Sequence, residues 1–249
     1  NMAKKRISDV LIEVLANAGI ERIYGITGDS LNSVNDSLRR NGKIQFEHVR
    51  HEESAAFAAG AEALLTGKLT VCAGSSGPGN LHLINGLFDC HRNRVPVLAI
   101  ASHIPQSEVG LNYFQETHPE NLFKECSCFC ELVSNPKQMP EILFRAMNAA
   151  VGNRDVAVIV LPGDVAVMET EIDELPTWHA PKLPRVIPQS EDILEMVQHI
   201  NNGKRITLFC GAGCAGAHDE VVELAAKLQA PVVHAFRGKE WVEWDNPYD

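Results

Sequence analysis

The chain has 249 residues, 45% hydrophobic and 22% charged, with a formal net charge of −10. That length holds one large α/β domain, or one domain and part of a second. The acidic balance argues against nucleic acid as a partner, because phosphate binding depends on lysine and arginine.

No window approaches the roughly 20 apolar residues of a membrane-spanning helix. The basic start Lys4-Lys5-Arg6 has no apolar stretch behind it, so it is not a secretory signal, and Asn1 ahead of Met2 reads as a tag remnant. Seven cysteines without an export signal suit reduced thiols in a cytoplasm better than a disulfide framework.

Helical and strand periods alternate from the start. Ile7, Val10, Leu11, Val14 and Leu15 share one face of a helix that stops near Gly19. Arg22 to Ile26 reads as a strand running into Thr27-Gly28-Asp29-Ser30, where Asp29 or Ser30 can cap the next helix. Ile44 to Val49 is a strand and Glu52 to Leu65 an alanine-rich helix. Leu69 to Ala73 and Val95 to Ala101 are apolar runs of strand length, as expected for strands covered on both faces. Pro136 to Val151 reads as a helix and Val156 to Leu161 as the last strand of the set. Strands separated by single helices predict a doubly wound parallel sheet over residues 1–170.

Beyond it the character changes. The acidic run Glu169-Thr170-Glu171-Ile172-Asp173-Glu174 precedes Pro176, Pro181, Pro184 and Pro188, which predicts an extended linker over 171–190. A second, Rossmann-like α/β unit begins at 191: a helix near Glu191 to Ile200, a strand Ile206 to Cys210, a glycine turn, a helix near Asp219 to Leu228 and a strand Pro231 to Ala235. Two strands cannot bury a full core, so residues 191–249 are expected to be the start of a domain in a longer polypeptide.

Two segments carry the chemistry. Arg50-His51-Glu52-Glu53 places an acid where a strand hands over to a helix, and Gly74-Ser75-Ser76-Gly77-Pro78-Gly79-Asn80 opens the next helix from a glycine turn. Both lie on one rim of a parallel sheet, where helix N-termini receive anions and polar ligands. An acid in a first helical turn is favourable to the dipole alone, so position by itself leaves Glu52 open to a surface role. The glycine turn lacks the Lys-[Ser/Thr] of a phosphate loop, and Pro78 breaks the Gly-x-Ser-x-Gly of a hydrolase elbow. His51-Glu52 lacks the second histidine of a zinc-protease helix.

Gly211, Gly213 and Gly216 match Gly-x-Gly-x-x-Gly, a weak signal without a ribose-binding acid after the next strand until Glu240. Cys126, Cys128 and Cys130 have the wrong spacing for zinc and should line one face of a strand. No metal site is expected from them or from the histidines; His82, His91 and His103 could approach the rim or be structural.

Gly28-Asp29-Ser30-Leu31-Asn32, His51-Glu52-Glu53, Gly77-Pro78-Gly79-Asn80-Leu81, Gly86 through Asn93 and Tyr113-Phe114-Gln115-Glu116-Thr117 together resemble the thiamine diphosphate (ThDP)-dependent 2-oxo-acid enzymes. The pyruvate dehydrogenase (quinone)/pyruvate oxidase group is the most similar, and the run from Cys72 to Pro105 carries the resemblance most densely. The resemblance implies a pyrimidine-binding domain over 1–170, with Glu52 activating the cofactor through N1′ of its aminopyrimidine. It implies that Gly77, Pro78 and Gly79 pack against that ring, that Gly28, Asp29, Phe114 and Gln115 border the substrate pocket, and that Gly211 and Gly213 belong to an FAD-binding central domain.

It further implies pyruvate as substrate, a quinone as electron acceptor, a homo-oligomer (dimer or tetramer), and Mg²⁺ held by a third domain that does not follow here. The 249 residues alone are then expected to be inactive. The full-length form would be cytoplasmic or peripheral to the inner face of the cell membrane. An acetolactate-synthase-like transferase, or a non-catalytic binding module on the same fold, are the alternative readings.

Overall fold

The computed structural model of the chain describes residues 3–172, 174, 175 and 177–249. Asn1, Met2, Asp173 and Pro176, which entered the readings of the start and the linker, lie outside the described residues. The chain divides between Leu183 and Pro184 into two compact units.

The first unit begins with β1 (Ala3–Arg6) and α1 (Ile7–Asn17), then β2 (Arg22–Gly25), α2 (Asn32–Asn41), β3 (Gln45–His48) and α3 (Glu52–Thr66). It continues with β4 (Thr70–Gly74), α4 (Pro78–Asn93), β5 (Val97–His103), the short α5 (Pro119–Leu122) and β6 (Phe129–Leu132). It closes with α6 (Met139–Asn153), β7 (Val156–Pro162), α7 (Gly163–Val167) and β8 (Glu169–Ile172). Six strands form one parallel sheet in the order β3-β2-β4-β5-β7-β6.

Period two along the central strands explains the two-sided burial. Val71, Ala73, Leu98, Ile100, Ala157, Ile159 and Leu161 face one core with α1, α2 and α6. Cys72, Val97, Ala99, Ala101, Val156, Val158 and Val160 face the other with α3 and α4. This is the doubly wound parallel sheet that alternation predicts. Chain order reverses between β2 and β4, which makes the crevice beyond their carboxyl ends the topological switch point where open α/β sheets bind ligands.

Small residues bring α3 and α4 together. A Cβ on Gly86 would sit 2.5 Å from Ala56 Cβ and 2.7 Å from the Glu53 carbonyl oxygen, and one on Gly60 would sit 2.6 Å from Cys90 Sγ.

Three local expectations change. Residues 29–31 form a 3₁₀ turn ahead of α2 without a side-chain cap; the Ser30 hydroxyl instead accepts the Ser76 backbone N–H at 2.9 Å. Cys126, Cys128 and Cys130 do not share a strand face. Only Cys130 lies in β6, Cys126 is buried before it and Cys128 is exposed, because Cys126 and Ser127 both turn back on the Phe123 carbonyl.

The stretch after 168 is also not all linker. β8 pairs antiparallel with β1, and Trp178 is 8% exposed in the first unit's core, its indole N–H donating to Asn148 Oδ1 at 2.9 Å.

The second unit contains α8 (Ser190–Asn202), β9 (Leu208–Cys210), α9 (His218–Leu228), β10 (Val232–His234) and α10 (Lys239–Val242). β9 and β10 pair in parallel over a small cluster of Cys210, Ala225, Val232 and Val242. Ile193, Leu194, Met196 and Val197 of α8 are exposed, as are Phe209 and Phe236. These two strands and three helices thus bury little, in keeping with the start of an α/β domain. Among the described residues no helix is long and apolar enough to cross a membrane.

Candidate active site at the sheet rim

The carboxyl ends of β2, β3 and β4 deliver the predicted residues to one rim. After β3, His51 takes an extended conformation and caps α3, its Nδ1 accepting the Glu53 N–H at 3.2 Å. Glu52 is therefore the first helical residue. Its side chain is nearly buried, with 7% of the residue exposed.

After β4, Gly77 sits at φ +68, a left-handed conformation that suits glycine, and Pro78 occupies the first turn of α4, where its missing N–H costs nothing. A Cβ on Gly79 would lie 3.2 Å from Glu52 Oε1 and 2.7 Å from Ser75 Oγ, and one on Gly28 would lie 2.6 Å from Ser75 Cβ. Glycine at these positions lets the β2 loop, the β4 turn and the Glu52 carboxylate close on one another.

The other Glu52 oxygen, Oε2, lies 3.0 Å from His82 Nδ1. The His82 ring stacks on that of His51, with centroids 4.3 Å apart and planes inclined by 27°. One ligand-type atom from each of His51, Glu52 and His82 falls within 4.8 Å of the others. This trio could not be read from spacing, because His82 is 30 residues from Glu52 and reaches it only through the crossing of α3 and α4.

Gln115 joins from the long loop before α5. Its backbone blocks the space a Gly77 Cβ would need, and its Oε1 lies 3.3 Å from Ser76 Oγ. Phe114 is 79% exposed and Asp29 is also exposed. Gly28 and Gln115 are thus drawn onto the β4 turn, whereas Phe114 and Asp29 are exposed. Glu116 holds the loop by accepting the Gly110 and Tyr113 N–H groups, and those backbone hydrogen bonds keep its carboxyl below the usual range.

Sequence reasoning assigned nothing to Asn80. It is fully buried, and its Nδ2 donates to the Ser102 carbonyl at 2.7 Å, tying α4 to the end of β5.

The glycine turn of the second unit differs. Gly211 precedes a 3₁₀ turn over Ala212–Cys214 after β9 and Gly213 lies within it, and a Cβ on either would meet nothing within 4 Å. Asp219 and Glu220 occupy the first turn of α9, which opposes a pyrophosphate at that helix terminus. The tight approach is at Gly238, where a Cβ would lie 2.6 Å from the Cys210 carbonyl oxygen.

With an acid and two helix N-termini converging at a switch point, the first unit has the form of a cofactor-binding domain. Residues 5–122 match the family profile described as the thiamine pyrophosphate enzyme N-terminal TPP binding domain. Residues 193–249 match its central domain. The chain belongs to the thiamine pyrophosphate enzymes and carries their N-terminal domain and the start of their central one.

An uncharacterized 42.6 kDa protein of Pseudomonas amyloderamosa is 61% identical over 249 residues, all of this chain and 63% of that protein. Pyruvate oxidase of Lactiplantibacillus plantarum is 31% identical over 92% of this chain and 38% of its own length. Acetolactate synthase of Arthrospira platensis is 32% identical over 98% of this chain and 44% of its own length. The chain thus spans less than two thirds of each of these relatives.

Proposed function

We propose that this chain supplies the aminopyrimidine half of a ThDP site in an enzyme that decarboxylates pyruvate oxidatively to acetate and CO₂, with a quinone as electron acceptor. The observation that carries the reading is the nearly buried Glu52 carboxylate, held between the Gly79 turn and His82 on the ligand-binding rim. When bound, ThDP supplies the electron sink that decarboxylation of a 2-oxo acid needs.

The residues present fit the ring end of that cofactor. Glu52 offers a carboxyl oxygen to a ring nitrogen and can hold or return the proton there. His82 fixes the second oxygen and so orients the carboxyl group. Gly77, Pro78 and Gly79 give the flat ring a wall of backbone and one compact proline ring. Gly28, Asp29, Phe114 and Gln115 border the space in which pyruvate would lie, with the exposed Phe114 available to cover it.

FAD and Mg²⁺ belong to the same proposal. Gly211 and Gly213 are the turn through which this chain would meet FAD, by resemblance to the family's central domain. The acids opening α9 would keep the FAD pyrophosphate away from that helix end. Mg²⁺ would be held outside these 249 residues. The exposed apolar side chains Phe57, Leu64, Leu65 and Leu81 on α3 and α4 support a homo-oligomer.

The test is pyruvate-dependent dye reduction, with ThDP, Mg²⁺ and FAD added, by the longest natural protein that contains this chain. Glu52→Gln should lower turnover by roughly 10²–10⁴-fold. Turnover unchanged by Glu52→Gln would overturn the role given to Glu52, and no turnover by the parent protein would leave a binding module. The comparable identity to acetolactate synthase keeps a carboligase as the second reading, and acetolactate in place of acetate as product would establish it.

A further inference from the structure

The opposite edge of the sheet, at the amino ends of β5 and β7, carries a second polar cavity. It has a volume of about 390 Å³ and is lined by His91, Arg92, Arg94, Asn153, Arg154 and Asp155. That volume lies in the range of small-molecule sites.

Three guanidinium groups gather there in a chain of net charge −10. The single carboxylate is already engaged: Asp155 Oδ1 lies 2.8 Å from His91 Nδ1 and accepts the Val156 N–H at 2.6 Å. Arg94 and Arg154, both exposed, have no side-chain partner among the described residues.

Two further facts bear on whether these arginines serve only their helices. α4 and α6 both end at this cavity, and each helix C-terminus is worth roughly half a negative charge. Arg94 and Arg154 alone outweigh those two ends, and Asp155 is turned to His91 and the Val156 N–H. The arginines also occupy a backbone conformation that disfavours them. α2 and α3 end on Gly42 and Gly67 at φ +69 and +68, where glycine is at ease, yet α4 and α6 end on Arg94 and Arg154 at φ 54 and 52. A residue with a Cβ pays roughly 1–2 kcal/mol in that region, and such strain concentrates at functional positions.

We propose that this cavity is a binding site for a small phosphate-type oxyanion, with Arg94 and Arg154 as its principal ligands and Arg92 and Asn153 beside them. The planar guanidinium fork pairs bidentately with phosphate oxygens. The site is independent of the cofactor rim, since it lies at the other ends of the strands and uses none of the same residues. Free phosphate or pyrophosphate and the diphosphate of a nucleotide share this chemistry, and the titration below separates them.

The experiment titrates the 249-residue chain with pyrophosphate at low ionic strength and follows backbone amide resonances. Saturable shifts are expected at residues 91–94 and 153–156, and inorganic phosphate should produce the same pattern more weakly. The double variant Arg94→Gly, Arg154→Gly keeps the left-handed helix ends that glycine prefers, so its fold should persist while affinity drops by roughly tenfold or more. ADP binding tighter than pyrophosphate would identify a nucleotide diphosphate as the ligand, and equal or weaker binding a free oxyanion. No saturable shift at about 10 mM, which corresponds to negligible affinity, overturns the proposal. So do shifts that survive in the glycine variant, or that appear only at Gly77 to Asn80.

Discussion

Glu52 Oε2 and His82 Nδ1 lie 3.0 Å apart, while the face of the same imidazole stacks on the His51 ring. A nearly buried carboxylate that loses its only side-chain partner among the described residues bears the desolvation cost alone. His82→Ala should therefore lower the stability of the first unit by about 1–3 kcal/mol. Glu52→Gln should be close to neutral, because its amide oxygen still accepts from His82. Urea unfolding of the two variants checks this, and equal losses in both would show that the pair is not the relevant contact.

The α3–α4 crossing tolerates no side chain at Gly86. Alanine would gain up to about 1 kcal/mol of helix propensity. Its Cβ would, however, collide with Ala56 Cβ and with the Glu53 and Phe57 backbone, and overpacking against backbone costs about 1–3 kcal/mol. Gly86→Ala should thus destabilise the first unit on balance and shift the Glu52 turn with it. A rise in its unfolding midpoint would contradict the packing argument. Gly67→Ala, with open space around it, should show only the cost of its positive φ.

Trp178 decides how far the first unit extends. It is buried beside α6 and hydrogen-bonded to Asn148, so Trp178→Ala should cost about 3–5 kcal/mol. A chain ending at residue 170 should unfold at lower denaturant than one ending at 183. Identical midpoints would mean that the segment contributes nothing to that core.

His103 closes β5 with its Nδ1 buried and without a partner among the described residues, and burial pushes its pKa below the ordinary value of 6.5. A histidine held neutral in the fold binds its proton more readily when unfolded. Stability is therefore retained above about pH 6.5 and declines as pH falls below it toward the depressed folded value. His103→Gln should flatten that decline relative to the parent chain. Parallel pH profiles between pH 7 and 5 would remove His103 as the cause.

Alternation of apolar strands with single helices was enough to anticipate the doubly wound sheet, because strands buried on both faces must be apolar throughout. Glycine and proline marked the β4 turn equally well, since φ +68 at Gly77 and the first helical position at Pro78 are backbone requirements visible in residue type. β1 and β8 were not legible, and β6 was legible only in part. They are short edge or auxiliary strands of four residues, and their pairing is decided by partners far along the chain. Of the three only β6 was anticipated at all, as a strand through Cys126 to Cys130 that the structure shifts to Phe129–Leu132.

The same distinction separates the site's parts. Sequence alone determined that an acid opens α3 and that a glycine turn opens α4, because local propensity and capping act within a few residues. Only the tertiary structure decided that His82 meets Glu52, that Gln115 meets Gly77, and that Arg94 and Arg154 share a cavity. Those contacts arise from the strand order β3-β2-β4-β5-β7-β6 and from the close crossing of α3 and α4, and long-range packing of this kind leaves no periodic trace in the chain.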